Sequence, residues 1–129
     1  MKEKTMENKE FFNKHKCYCI ALLNQKGIQE MEEYQFDEYT ENMFVETLTY
    51  NEAESIYMDI FNNFNEKFDL LIDFFEEEDL PSEKLSAAEE IVSAFLKTDI
   101  TDEQKSAAEK VLRVIQKAIE CSTYVCFEF

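Results

Sequence analysis

Four cysteines are the side chains with the most obvious capacity to hold a metal ion. They form two pairs, Cys17 with Cys19 and Cys121 with Cys126, and thiolate sulfur is a preferred ligand of structural zinc. Zinc ribbons and fingers usually place about two to four residues between paired cysteines, so the second pair alone has a suitable spacing. We therefore expect no metal site and interpret the cysteines as reduced thiols that mostly fill the core. Their spacing alone leaves open whether they ever bind a metal.

Catalysis by a serine or cysteine nucleophile needs a neighbouring base, and His15 is the one histidine of the sequence. It falls on the apolar side of a predicted helix near Phe11 and Cys19, where a histidine is usually packed and hydrogen-bonded. Carboxylates are too abundant for one acid and base pair to be singled out, and no glycine-rich phosphate loop is present. The acidic stretch 73–84 lacks the central glycine and the terminal glutamate of an EF-hand. We predict a protein without enzymatic activity and without a cofactor.

Acidic side chains dominate the middle of the sequence. The formal net charge is -16, and residues 28–80 contain seventeen acidic side chains against the single base Lys67. The flanks, residues 1–27 and 81–129, hold twelve acids and twelve bases in total. Like charges that a fold holds close together repel one another, and a positively charged partner relieves that repulsion. Acidity also keeps many proteins in solution without any binding role, but a single base in this long segment favours a cationic partner.

The predicted partner-binding residues are carboxylates of this polyanionic segment. They are Glu30, Glu32, Glu33, Asp37, Glu38, Glu41, Asp73, Glu76, Glu77, Glu78 and Asp79. Direct binding to nucleic acid or to an anionic membrane is not expected, because both contacts need Lys and Arg. Tyrosines of the segment, such as Tyr39 and Tyr57, suit an interface that faces arginine or lysine, although core packing explains each of them as well.

Helical spacing accounts for most of the apolar residues. A first helix is predicted from about Met6 to Lys26, with Gly27 ending it in a Schellman motif. A long amphipathic helix should begin near Asn51 and Glu54 and bury an apolar stripe at four-residue intervals. The stripe consists of Ile56, Ile60, Phe64, Phe68 and Ile72.

Two further helices are predicted at 82–97 and at 101–120, the second beginning with a capping box of Thr101 and Gln104. Both contain the sequence Ser-Ala-Ala-Glu. Because two copies are too few for a stable solenoid, we interpret the pair as an antiparallel helical hairpin.

Three short stretches carry strand features. Residues 122–129 alternate apolar and polar positions, residues 43–49 contain β-forming residues, and residues 17–23 are a short apolar run. A strand needs a neighbour to satisfy its backbone groups, so these stretches would have to pair with one another or with another protein. The alternative is that the tail packs as extended chain.

The preferred fold class is mainly α. We predict one domain, residues 1–129, forming a compact bundle of about four to five helices with a strand-like C-terminal segment. An all-β fold is disfavoured, because the sequence has one glycine and one proline for tight turns. The alternative is an α+β fold with a small sheet that uses 17–23, 43–49 and 122–129.

A non-catalytic inhibitor is the predicted function. Without a visible signal peptide or apolar span, the chain is expected in the cytoplasm. Its expected partner is a basic protein, either a nuclease-type toxin or another effector that acts on nucleic acid, whose positive cleft the carboxylates would cover. This describes an immunity or antitoxin-type protein, and a phage anti-defence or anti-CRISPR protein that mimics nucleic acid would look the same. An adaptor or structural assembly subunit is the alternative, and homodimer formation is left open.

Overall fold

A four-stranded antiparallel sheet forms the centre of the fold. The structure is a computed structural model that describes residues 14–33 and 39–129. The strands are β1 (Lys16–Leu22), β2 (Met43–Thr49), β3 (Glu77–Leu80) and β4 (Val125–Glu128), and they lie side by side in the order β2-β1-β4-β3. The two strands from the ends of the described chain, β1 and β4, therefore pair with each other in the middle of the sheet.

Helical segments connect the strands and cover the sheet. They are α1 (Gln25–Glu33), α2 (Tyr50–Ser55), a π-helical segment (Tyr57–Phe61), α3 (Asn62–Phe68), a 3₁₀ turn (Ser82–Lys84), α4 (Leu85–Leu96) and α5 (Asp102–Cys121). The long α5 packs on β1 and β2 and also against α4.

The prediction of a mainly helical bundle is wrong, and the chain has a mixed α+β fold. The predicted alternative sheet is the one that forms, because strands occupy most of 17–23, all of 43–49 and part of 122–129. Strand β1 was hard to recognise because both of its sides are buried, so its sequence shows no alternation of apolar and polar residues. Strand β3 was not anticipated, because three of its four residues are acidic.

Gly27 does not end a helix but lies within the first turn of α1. The Asn24 side chain caps this helix, because its Oδ1 accepts a hydrogen bond from the Gly27 amide at 2.9 Å. A Cβ atom at position 27 would lie 2.4 Å from the main-chain oxygen of Asn42. The glycine is therefore needed where α1 meets the chain that leads into β2. The predicted first helix gives way to β1 over its second half, and its first half lies outside the described residues.

The predicted long helix begins two residues earlier than expected and ends sooner. Thr49 is the N-cap, and Thr49 and Glu52 form a capping box. The helix ends after Phe68, because Asp69 takes a left-handed conformation with φ 57°. The inner part of the predicted stripe is confirmed, since Ile56, Ile60 and Phe64 are fully buried.

The capping box at the start of α5 is confirmed. The Thr101 hydroxyl accepts from the Gln104 amide at 3.1 Å, and the Gln104 side chain accepts from the Thr101 amide at 2.9 Å. The Gln104 side chain also donates to the Ser55 carbonyl oxygen at 3.1 Å. This contact joins the beginning of α5 to the end of α2.

Two apolar clusters lie on opposite faces of the sheet. The larger one is formed by the inward side chains of the strands together with α2 to α5 and the π-helical segment. Aromatic rings meet at its centre, where the Phe61 ring lies 4.8 Å from Phe129 and 5.5 Å from Phe127 in edge-to-face contacts. The smaller cluster lies under α1 and contains Ile20, Leu22, Met31, Met43 and Cys126. Among the described residues, the helix that covers this second face is the short α1.

Replacing Gly27 with alanine should destabilise the fold. Alanine normally favours a helix interior, but its methyl group would overlap with the Asn42 oxygen. We expect a loss of about 1–3 kcal/mol in the free energy of unfolding, as for other overpacked sites. Urea unfolding followed by circular dichroism measures it. Gln29→Ala in the same helix is the control and should change little, because Gln29 is exposed. Equal stability of Gly27→Ala and wild type would contradict the close approach.

Neutralising Glu52 should remove stability at neutral pH. Its carboxylate accepts hydrogen bonds from the Thr49 amide at 2.9 Å and from Ser106, and pairs with Lys110 at 3.2 Å. Burial is the largest single influence and raises the pKa of Glu52, but these hydrogen bonds and the Lys110 charge together hold it below its ordinary value.

A carboxylate whose pKa is lowered by folding stabilises the folded state at pH values above its pKa in the unfolded chain. This stabilisation is lost as pH falls through its pKa in the folded chain. The Glu52→Gln variant should therefore be less stable than wild type above about pH 5, with the difference shrinking below about pH 4. Unfolding midpoints across this range measure the difference. Glu90→Gln on α4 is the control, because Glu90 is exposed. A difference that does not depend on pH would contradict this role of the charge.

Candidate functional site

Strand register places apolar and acidic side chains on opposite halves of the second sheet face. Val45, Ile20, Cys126 and Asp79 form one row across the four strands, and Thr47, Tyr18, Glu128 and Glu77 form the next. Alternate residues of a strand share a face, so both rows face the side that α1 covers. The face is therefore apolar at β2 and β1 and becomes acidic toward β3.

A cleft opens between α1 and β3. Its volume is about 310 Å³, and its lining residues are Met31, Glu32, Glu77, Glu78, Asp79, Tyr124 and Cys126. We call it the acidic cleft. Glu32 approaches from the helix, while Glu77 and Asp79 project from the strand, so carboxylates stand on both sides. Met31 and Tyr124 add an apolar surface between them.

Asp79 experiences the repulsion within this cleft most clearly. Its pKa is raised, first by partial burial and then by the neighbouring charges of Glu78, Glu77 and Glu32. A hydrogen bond from the Cys126 thiol acts in the opposite direction without cancelling the effect. The charged form of Asp79 is therefore less favourable in the folded chain than in water. A positive charge in the cleft would stabilise this charged form.

Cys126 is a buried hydrogen-bond donor in this arrangement. Burial raises the pKa of its thiol, and the charges of Asp79 and Glu128 raise it further. The thiol therefore stays protonated and can donate to Asp79. The other buried cysteines lie on the opposite sheet face, where burial raises the pKa of Cys17 to about 12 and also that of Cys19. Within residues 14–33 and 39–129, no group of three or more His, Cys, Asp or Glu side chains is arranged to hold a metal ion.

Tyr39 covers the second acidic row beside the cleft. Its hydroxyl donates to the Glu128 carboxylate at 2.6 Å, and its ring lies 5.2 Å from that of Tyr18. Burial raises the pKa of Tyr39, and Glu128 raises it further. Tyr39 thus orders Glu128 and stays protonated. Tyr57, the other tyrosine considered for an interface, donates to the Ile72 carbonyl oxygen at 2.9 Å and is half-buried.

Four of the predicted partner-binding residues meet in the acidic cleft, namely Glu32, Glu77, Glu78 and Asp79. Others do not. Glu30 accepts hydrogen bonds from Thr40 at 2.8 Å and from Asn42 at 3.0 Å, Glu33 accepts from Gln29, and Asp73 accepts from the Phe74 amide. Glu41 and Glu76 are exposed outside the cleft lining, and Asp37 and Glu38 lie outside the described residues.

Glu78 has a structural role in addition to its place in the cleft. One of its carboxylate oxygens accepts from the Leu71 amide at 2.7 Å and the other from the Asp79 amide at 3.0 Å. It therefore fastens the loop before β3 to the outer edge of the sheet.

Sequence reasoning missed the contribution of the C-terminal strand to the site. Tyr124, Cys126 and Glu128 come from the tail, far from the polyanionic segment in sequence. The alternation of the tail was recognised, but the strand that would lie beside it was not.

Basic side chains of α5 gather at the opposite edge of the sheet. Lys110 pairs with Glu52, and Arg113 pairs with Glu46 at 2.5 Å. The Lys117 ammonium lies 5.9 Å from the centre of the Phe44 ring. Lys110 and Arg113 thus neutralise carboxylates beside β2, whereas β3 forms the other edge of the sheet.

His15 is packed and hydrogen-bonded, although it precedes β1 and does not lie on a helix. Its Nε2 forms a hydrogen bond with the Phe129 main-chain oxygen. Its ring lies 4.8 Å from that of Phe75 and 6.4 Å from that of Tyr50.

In the part of the chain that the structure describes, no helix is long and apolar enough to cross a membrane. Comparisons with known protein families, with curated proteins and with solved structures found no match to this chain. The site's geometry and charge are therefore the basis for assigning a function.

Replacing Asp79 with asparagine should stabilise the fold at neutral pH. Since the folded pKa of Asp79 is raised, its charge opposes folding above that pKa, and the effect vanishes once pH falls below the unfolded value near about 3.9. Asparagine can still accept from Cys126. We expect a higher urea midpoint at pH 7 and low salt, and no gain at about pH 3. Asp99→Asn, on the exposed loop before α5, is the matched control. A loss of stability at neutral pH would contradict repulsion in the cleft.

Proposed function

We propose that this chain is a non-catalytic cytoplasmic inhibitor that binds a basic, nucleic-acid-acting protein through the acidic cleft. The observation that supports this most directly is the meeting of Glu32 with Glu77 and Asp79 across an open cleft. Three elements distant in sequence, α1, β3 and β4, build this cleft. The backbone positions of its carboxylates are set by a sheet and a helix, so the fold brings these charges to the same cleft.

The cleft suits the side chains of arginine and lysine. Their charged ends can be held by the carboxylates of Glu32 and Asp79, and their methylene stems can lie along Met31 and Tyr124. Hydrogen bonds between guanidinium or ammonium groups and carboxylates are among the stronger ones that proteins form. A partner that inserts such a side chain gains these contacts and removes the repulsion that Asp79 experiences.

Inhibition follows from the kind of surface that such a partner uses. Proteins that bind nucleic acid contact its phosphates with Lys and Arg, so a carboxylate-lined surface that covers those residues excludes the nucleic acid. Charge complementarity also accelerates association, up to on the order of 10⁸ per molar per second at low salt. The separation of charges supports this orientation, because Lys110 and Arg113 of α5 pair with carboxylates beside β2, at the edge of the sheet away from β3.

The proposal is tested by capture from a host lysate followed by mass spectrometry. The immobilised wild-type chain should retain a basic nucleic-acid-acting protein at low salt and inhibit it in a nuclease or nucleic-acid-binding assay. Capture should slow greatly at about 0.5 M salt, where exposed charges are screened within a few ångströms. The variant Glu32→Gln/Glu77→Gln/Asp79→Asn should lose at least about tenfold in affinity, as expected when three charge contacts of an interface are removed.

A variant with the same change of charge on the opposite sheet face is the control. Asp59→Asn/Glu66→Gln/Glu90→Gln alters exposed positions of the π-helical segment, α3 and α4 and should retain the partner within about threefold, since it leaves the contacts intact. If both triple variants bound the partner equally weakly, net charge alone would explain the loss of affinity. This result would contradict binding through the acidic cleft. Self-assembly that salt does not affect would favour an adaptor subunit instead.

A further inference from the structure

The loop of residues 69–76, between α3 and β3, exposes two large apolar side chains. Leu71 is 79% exposed and Phe75 is 57% exposed. Single exposed apolar residues are common on protein surfaces. Here two of them lie four residues apart in one loop. They can form a binding surface if the rest of the fold holds this loop in place.

The loop is fixed to the rest of the fold at both its middle and its end. Ile72 is buried, its amide donates to Asn65 Oδ1 at 2.7 Å, and its carbonyl oxygen accepts from the Asn65 side chain at 2.9 Å. The Leu71 amide donates to Glu78. The Phe74 ring stacks on that of Tyr57 at 5.6 Å. Ile72 and Phe74 thus anchor the loop to the fold, and these contacts hold the backbone from which Leu71 and Phe75 are exposed.

Phe75 is held in a strained conformation. Its φ of 65° lies in the left-handed region, which is a genuine outlier for a bulky residue. Such a conformation is energetically unfavourable and persists where the surrounding structure enforces it, often at functional sites. Its ring rests against that of His15 at 4.8 Å. The fold therefore enforces an unfavourable backbone conformation at a residue whose aromatic ring is partly exposed.

Carboxylates surround these apolar groups. Asp69, Asp73 and Glu76 belong to the same loop and are exposed, and the loop contains no basic residue. Beside Phe75 lies a shallow depression of about 390 Å³, lined by His15, Lys16, Tyr18, Phe75, Glu76, Glu77, Glu128 and Phe129. The lining combines aromatic rings with three carboxylates, and both favour the guanidinium or ammonium group of a partner. Lys16 is the one fully basic side chain of this lining.

We propose that this loop is a second docking surface, which binds a cationic amphipathic segment of the partner. The inference rests on the proposed function, since it assigns further contacts to the same basic protein. Apolar side chains of the segment pack on Leu71 and Phe75, and its Lys or Arg side chains meet Asp69, Asp73 and Glu76. The hydrogen bonds of Leu71 and Ile72 already hold the loop in place, and a preorganised surface lowers the entropic cost of the contact.

A second copy of this chain does not fit the surface. Pairing two such loops would bring one acidic loop against another, and like charges opposed across an interface are unfavourable. Charge complementarity therefore favours a basic partner over a homodimer at this position.

The test selects a phage-displayed library of random twelve-residue peptides on the immobilised full chain, and then measures synthetic versions of the selected peptides. We expect peptides that combine Lys or Arg with Leu, Phe or Trp. Their affinity should fall at least about tenfold for Leu71→Ser/Phe75→Ser, in keeping with the loss of two interface anchors. Met58→Ser is the matched control, because Met58 is 68% exposed outside the loop, and it should change affinity by less than about twofold. Leu71→Ser alone, which leaves the Phe75 contact with His15 in place, guards against a folding defect.

Three results would overturn the inference, and they separate it from the proposed function. The first result is the selection of peptides rich in Lys and Arg but without apolar anchors. If Leu71→Ser/Phe75→Ser bound them as wild type does and Glu32→Gln/Glu77→Gln/Asp79→Asn did not, docking at the loop would be refuted and the proposed function would stand. Apolar peptides without basic residues that bind at the loop would refute a cationic occupant and leave the proposed function standing, because they do not use the acidic cleft. A dimeric wild-type chain that becomes monomeric in Leu71→Ser/Phe75→Ser would identify a second copy as the occupant and refute the inference.

Discussion

Strand β4 lies between β1 and β3 in the sheet, and the antiparallel register of these three strands determines where the charges of the chain lie. Ile20 opposes Cys126, and Cys126 opposes Asp79, so an apolar and an acidic side chain are brought onto one face. A shift of one residue in β4 would send Val125 and Phe127 to the sparsely covered face and Cys126 into the main core. The two Phe side chains that meet Phe61 there oppose such a shift.

Unequal coverage of the two faces explains why a cleft exists at all. The main core occupies one face, with α2 to α5 arranged over it, while in residues 14–33 and 39–129 the other face is covered by α1 and Tyr39. A nine-residue helix spans only part of a four-stranded sheet, and Gly27 permits its close approach to the chain that enters β2. The half of the face beyond α1 would be an exposed apolar surface if it carried valine or leucine. It carries carboxylates instead, which tolerate water and provide the negative potential.

The sequence predicted local features better than their arrangement. Neighbouring residues alone were enough to predict three local features. These are the capping box of Thr101 and Gln104, the burial of Ile56, Ile60 and Phe64, and the alternation of the tail. The fold class was wrong because β1 is buried on both faces, and a short apolar run of this kind has no period that separates strand from helix. Strand β3 could not be recognised from its sequence, because Glu and Asp have a low preference for strands. It forms because it pairs with β4, which is distant in sequence. Four of the site's carboxylates were predicted, whereas their proximity and the part played by Cys126 depend on long-range pairing.

Glu78 also limits how the sheet can grow. The Phe129 amide donates to the Glu76 carbonyl oxygen at 3.1 Å, so alternation turns the Asp79 amide away from β4, and Glu78 occupies that outward donor. An added strand from another chain would have to displace the carboxylate before it could pair with this edge. The fold thereby resists strand-by-strand polymerisation at β3. The carboxylate of Glu78 therefore hinders the addition of an extended strand at this edge.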